Sequence, residues 1–167
     1  MFRTILKGAT TLAFIGAFAA PLAAQTAGIA LGAQAPEARV QTPAGKTVWL
    51  SSHYGKDKPV LLEFWATWCE NCKALEPQMS AAAKKYAGRL SMVGVAVGVN
   101  QSANLVKAYA AKHALPLTIV YDDQGDAADK FDVPATSYIV ILNKDGRVVY
   151  TGVGSDQNID AAIRKVL

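Results

Sequence analysis

Cys69 and Cys72 are the only two cysteines in the chain, and two residues separate them. A thiol pair at this spacing can exchange with a disulfide, ligate a metal, carry a haem or close a small loop. Exchange needs one thiolate to attack and a second thiol within reach to resolve the mixed disulfide. The surrounding sequence supplies both. Val60-Leu61-Leu62-Glu63-Phe64-Trp65 is a short apolar run opened by Pro59, and a helical pattern starts at Cys69. The first thiol then sits at a helix N-terminus, where unpaired N–H groups and the positive end of the dipole favour thiolate. The second follows one turn later. Cys69 is therefore the expected attacking thiol and Cys72 the resolving one.

The other uses of such a pair fit less well. Structural zinc takes four ligands, and the two histidines, His53 and His113, show no ligand spacing. Attachment of a c-type haem places a histidine directly after the second cysteine, where this chain has Lys73. A Cys69–Cys72 bond closes too small a loop to restrict the unfolded chain much. Between the thiols, Glu70 and Asn71 set the electrostatics. The Glu70 carboxylate opposes a Cys69 thiolate that the helix N-terminus favours. Strong oxidants depend on a strongly stabilised reduced form, so this acid points to a reductant of disulfides.

The elements that hold the pair follow from periodicity and turn residues. Arg39 to Thr42 and Thr47 to Leu50 flank Pro43-Ala44-Gly45-Lys46, which is a β-hairpin pattern, and Ser51 to Gly55 forms a turn or helical turn. The apolar run 60–65 is a buried strand of a parallel sheet. A helix is expected from Cys69 to Tyr86, stopped by Gly88 and kinked at Pro77. Then come a strand over 90–99, a helix over 102–113, a strand over 117–121 and a helical piece over 127–131. Thr136 to Leu142, the turn Asn143-Lys144-Asp145-Gly146 and Arg147 to Thr151 form a second hairpin. A helix over 156–166, capped by Asp156 or Asn158, closes the chain. Alternating strands and helices make this an α/β domain with helices on both faces of the sheet, and the late hairpin adds antiparallel strands.

Of the 167 residues, the first part has a different character. Arg3 and Lys7 precede an uncharged run, Gly8 to Ala24, that ends in small residues. Basic start, apolar middle and small-residue end are the layout of a secretory signal, with cleavage expected after Ala24. An uncleaved anchor is the competing reading, although the run is short for a span of ~20 residues. The division is a signal over 1–24, an Ala/Gly-rich flexible lead-in over 25–37 and one domain over 38–167. The net charge of +4 includes Arg3 and Lys7, and the remaining cations are scattered, which excludes a nucleic-acid surface.

The stretch Trp68-Cys69-Glu70-Asn71-Cys72 resembles the active site of thioredoxin-like proteins. With Phe64-Trp65-Ala66-Thr67, Leu31-Gly32-Ala33-Gln34-Ala35-Pro36 and Val133-Pro134-Ala135-Thr136, it is more narrowly similar to the exported TlpA/ResA-type thiol–disulfide oxidoreductases, from Leu31 to the C-terminus. The resemblance implies a thioredoxin-like fold, a central mixed sheet flanked by helices, with an extra N-terminal β-hairpin. It implies that Pro134 is the cis-proline that packs beside the thiols and helps bind an extended client segment. Glu63 lies six residues before Cys69, where thioredoxins carry a buried acid. Such an acid relays the proton of Cys72 if burial raises its pKa. Pro77 matches the family's helix proline. Two departures stand out: Leu75 occupies a position where many relatives have Glu, with Glu76 following, and the stretch from Pro134 to Gly146 is longer than the family pattern.

The resemblance further implies a periplasmic or otherwise exported monomer with no cofactor or metal, soluble or anchored by its N-terminus. Its partners would be exported proteins with disulfides, among them factors of cytochrome c maturation or copper-centre assembly. A separate electron donor, membrane-bound in one reading, would recycle the dithiol. Two other functions share the fold. A thiol peroxidase needs its cysteine in a Thr-x-x-Cys setting, whereas Thr67 lies two residues before Cys69. A copper-binding redox chaperone would use both thiols and a histidine.

Overall fold

The central strand is buried along its whole length, which explains its uninterrupted apolar sequence. The computed structural model describes residues 27–54 and 57–167. The segment 1–24, with its expected signal, lies outside the described residues. Along the chain run β1 (Arg39–Gln41), β2 (Thr47–Trp49), a 3₁₀ turn (Leu50–His53), β3 (Val60–Trp65), α1 (Glu70–Lys85), β4 (Ser91–Val97) and α2 (Ala103–Lys112). They are followed by β5 (Thr118–Asp122), α3 (Asp126–Lys130), β6 (Tyr138–Leu142), β7 (Val148–Val153) and α4 (Ile159–Ile163). The strands form one mixed sheet in the order β2-β1-β5-β4-β3-β6-β7. β3 pairs in parallel with β4 and antiparallel with β6. The two hairpins expected from the sequence, β1–β2 and β6–β7, are both antiparallel pairs.

Each face of the sheet has its own cover. Leu62, Phe64, Val93, Val95, Val120, Tyr138 and Val140 belong to one buried cluster with Ala127 and Phe131. Phe64 anchors it, with ring centroids 5.3 Å from Phe131 and 5.9 Å from Tyr138. Leu61, Ile139 and Ile141 pack with Leu75, Met79 and Ala82 of α1 and with Ile159 and Ile163 of α4. Side chains alternate along a strand, so Glu63 projects on the same face as Leu61, toward α1. Laterally it is flanked by Gly94 and Ile139.

The lead-in departs from the expectation of a flexible segment. From Ala27 onward it lies against the domain. Gly32 N donates to Val148 O (2.7 Å), Val148 N to Ala33 O (2.9 Å) and Ala35 N to Gly146 O (2.9 Å). These bonds cover the outer edge of β7, an edge that otherwise presents unpaired backbone groups. Gly28 has φ +100, and a Cβ there would run into the Tyr138 hydroxyl, so the small residues of this stretch allow close approach. α4 is also shorter than expected, because the Asn158 side chain caps it by accepting from Ala161 N at 2.9 Å.

Candidate active site

Cys69 is the N-cap of α1, and its sulfur accepts from Cys72 N at 3.1 Å. The two cysteines form a disulfide, with Cα atoms 5.3 Å apart. Both are buried, each 5% exposed. The cap position results from the chain leaving β3 at Trp65 and turning through Ala66, whose carbonyl accepts from Cys69 N at 3.1 Å. Two residues after the strand end, the loop is tied down by Gln101, which sequence reasoning missed. Thr67 N donates to Gln101 Oε1 (2.9 Å), and Gln101 Nε2 donates to Val97 O (2.6 Å). The tie thus joins the approach to the thiols to the end of β4. Its only sequence signal is a polar residue just after an apolar strand, too common to be informative. Trp68 is 45% exposed, its indole N–H donating to Val99 O at 2.9 Å.

Glu70 and Asn71 are exposed at the first turn of α1. The Glu70 carboxylate is turned to Lys73 Nζ at 2.6 Å and is 83% exposed, so solvent and its partner screen its effect on Cys69. Glu63, by contrast, is 5% exposed. Burial, and secondarily the charge of Glu76, push its carboxyl up to about 8. Glu76 itself, one turn beyond Cys72 on α1, accepts from Tyr109 Oη at 2.9 Å and lies 3.3 Å from His113 Nδ1. Among the described residues, no group of three or more His, Cys, Asp or Glu converges to hold a metal.

The cis-proline expectation is corrected. No described peptide bond is cis, and Pro134 is exposed in the turn ahead of β6. Extending the β3–β6 register one step beyond Phe64↔Tyr138 sets Ser137 opposite Trp65, at the sheet end from which the Cys69 loop departs. Ser137 is fully buried, has φ +64, and its hydroxyl has no hydrogen-bond partner. Its carbonyl accepts from Gly154 N (3.1 Å) and Gln157 Nε2 (3.1 Å). The resemblance attached the proline to the Val-Pro-Ala-Thr residue types. Counting back along β6 from the Asn143–Gly146 turn places the flanking position at Ser137 and accounts for the apparent extra length.

Residues 31–151 match the AhpC/TSA family. The chain belongs to that family. It is 35% identical over 129 residues to the thioredoxin-like protein YneN of Bacillus subtilis, covering 77% of this chain and 74% of the relative. It is 31% identical over 127 residues to the thiol-disulfide oxidoreductase ResA of the same organism, covering 76% and 69%. The thioredoxin domain of a thiol-disulfide oxidoreductase from Bacteroides vulgatus superposes with a TM-score of 0.69 at 20% identity, covering 83% of this chain and 99% of that one, a likeness of fold. Family membership and the Cys69–Cys72 pair together make this a thioredoxin-like thiol–disulfide oxidoreductase of the ResA/YneN kind.

Proposed function

We propose that the protein reduces disulfides of exported client proteins. The observation that carries this reading is the capped Cys69–Cys72 pair at the end of the strand that holds a buried acid, Glu63. The Cys69 thiolate attacks one sulfur of a client disulfide, forming a Cys69–client bond and releasing the other client sulfur as a thiolate. Cys72 gives its proton to the Glu63 carboxylate, and the resulting thiolate attacks Cys69 Sγ. The Cys69–Cys72 disulfide forms, the second client thiolate leaves, and two electrons have passed to the client. The oxidised structure fits the end of that sequence, because Glu63 keeps a proton at neutral pH. Glu70 stands next to Cys69 in the first turn of α1 and opposes a stabilised thiolate there, an effect that its exposure and its pairing with Lys73 reduce and do not reverse. A strong oxidant depends on that stabilised thiolate.

Trp68 and Asn71, which flank the thiols in sequence, are exposed and would contact an extended client segment. Export is supported by the basic, apolar and small-residue layout of residues 1–24. No described helix is long and apolar enough to cross a membrane. Clients in cytochrome c or copper-centre assembly, and a separate donor that reduces Cys69–Cys72, belong to the same proposal. Cys72→Ser tests it by trapping. The variant should accumulate mixed disulfides between Cys69 and exported proteins. Recovery of small thiols alone would overturn the assignment of protein clients.

A further inference from the structure

Glu76 has no part in the exchange step above, yet it is held by two residues of another helix. It lies on α1 four residues after Cys72, and its side chain is 28% exposed. From α2, Tyr109 Oη donates to one carboxylate oxygen at 2.9 Å, and His113 Nδ1 lies 3.3 Å from the other. The Tyr109 and His113 rings stack at 3.9 Å and 11°, which fixes both donors together. The inner side of this clamp leads back to Glu63. The Tyr109 ring lies 5.7 Å from that of Trp65, two residues beyond Glu63 and on the same face of β3. The Trp65 indole nitrogen is buried without a partner. It lies over Gly94, the strand neighbour of Glu63, where a Cβ would come within 2.8 Å of it. A side chain at position 94 would displace the ring that links the clamp to the buried acid.

We infer that Glu76 is a positioning residue for the exchange reaction, governing proton exchange at Glu63 from a clamp formed by Tyr109 and His113. The inference rests on the reading of Glu63 as the proton acceptor for Cys72. Its physical basis is the burial of Glu63, which leaves its carboxyl sensitive to the charge of Glu76. The chemistry around Glu63 supports it. From α1 the titratable groups are Cys72, Glu70 and Glu76, and from α2 they are Tyr109 and His113. Gly94 and Ile139 on the adjoining strands bring no charge. Of the nearby cations, Lys73 is bound to Glu70 and Lys85 to Asp160, while Lys84, Lys107 and Lys112 point into solvent. His113 is thus the basic side chain that meets Glu76. Tyr109 is pushed up to about 12 by burial, by its bond to Glu76 and by the acids around it, so it stays a neutral donor. Held in this clamp, Glu76 raises the Glu63 carboxyl and so tightens its hold on the proton.

The test is a ¹³C-carboxyl NMR titration of Glu63 in the oxidised full chain, with a parallel pH–rate profile for reduction of oxidised glutathione. Glu76→Gln removes the anion, and His113→Lys places a permanent cation beside it at an exposed helix end. Both should lower the Glu63 midpoint by about one pH unit, a tenfold loss of proton affinity. Tyr109→Phe, which keeps the stack but frees Glu76, should produce a smaller shift in the same direction. An unchanged midpoint in both Glu76→Gln and His113→Lys overturns the inference, and His113→Lys keeps the test open if Glu76→Gln fails to fold. The rate profile separates the two levels. If the midpoint moves while Glu63→Gln leaves the rate unaltered, the proton-acceptor reading fails and the coupling of Glu76 to Glu63 stands. If Glu63→Gln slows the reaction while neither charge variant moves the midpoint, the acceptor reading stands and the role of Glu76 falls.

Discussion

Two carboxylates are buried in this sheet, and the structure treats them in opposite ways. Asp122, the last residue of β5, is fully buried. Its oxygens accept from Ala127 N at 3.1 Å and Ala128 N at 2.8 Å, at the start of α3. Burial raises its carboxyl, the two backbone donors offset part of that rise, and Asp126 and Asp129 add a little to it, so that it stays above its ordinary value. Glu63 is as deeply placed, yet its causes are burial and a second acid, both raising it, to about 8. Burial alone therefore does not mark a functional acid. Asp122 is partly compensated by two backbone donors and organises a turn, whereas Glu63 has no such donor among its causes and is poised to exchange a proton near neutrality.

The contrast gives predictions in descending size. Glu63→Gln removes the acceptor, and the rate of disulfide reduction at pH 7 should fall by about 10²-fold or more. The same variant should gain stability at alkaline pH. An unfolded glutamate loses its proton near its ordinary value of 4.5, and the folded one only at about 8. Between these values the folded chain binds the extra proton, so wild-type stability falls as pH rises through that window, by on the order of a few kcal/mol. Denaturant titrations at pH 5 and pH 8 should show this slope in the wild type and its loss in Glu63→Gln. Asp122→Ala should behave in the reverse manner. It leaves two buried N–H groups without partners, costing about 2–3 kcal/mol in thermal or denaturant unfolding, while the pH–rate profile of the folded fraction stays as in wild type. If Asp122→Ala moved that profile, the distinction between the two acids would collapse. Asn158→Ala, which removes the cap of α4 far from either acid, should cost about 1 kcal/mol and leave the rate unaltered, calibrating the other two.

The same contrast explains what could be seen in the sequence. Glu63 was legible through the resemblance, which places a buried acid six residues before the first cysteine, and through the apolar run around it, which reads as a buried strand. Cys69 and Cys72 were legible from spacing and the strand–helix switch. Asp122 was hidden in a turn-like Asp-Asp-Gln-Gly stretch, where an acid is ordinary. The lead-in was misjudged because backbone hydrogen bonds to β7 hold it, and these leave no trace in composition. Ser137 was overlooked because its place is fixed by strand register, not residue type. Glu76 was noticed only as a departure from the family pattern. Its clamp depends on Tyr109 and His113, brought to it by tertiary packing from 33 and 37 residues away.

The central claim is that Cys69–Cys72, with Glu70 beside it, is a reducing pair. The most direct measurement is the reduction potential of the pair in the intact protein, equilibrated against a glutathione or dithiothreitol redox buffer at pH 7. The account predicts a value near the thioredoxin end of the scale, about −270 mV, and a value near that of a strong oxidant, about −120 mV, would contradict it.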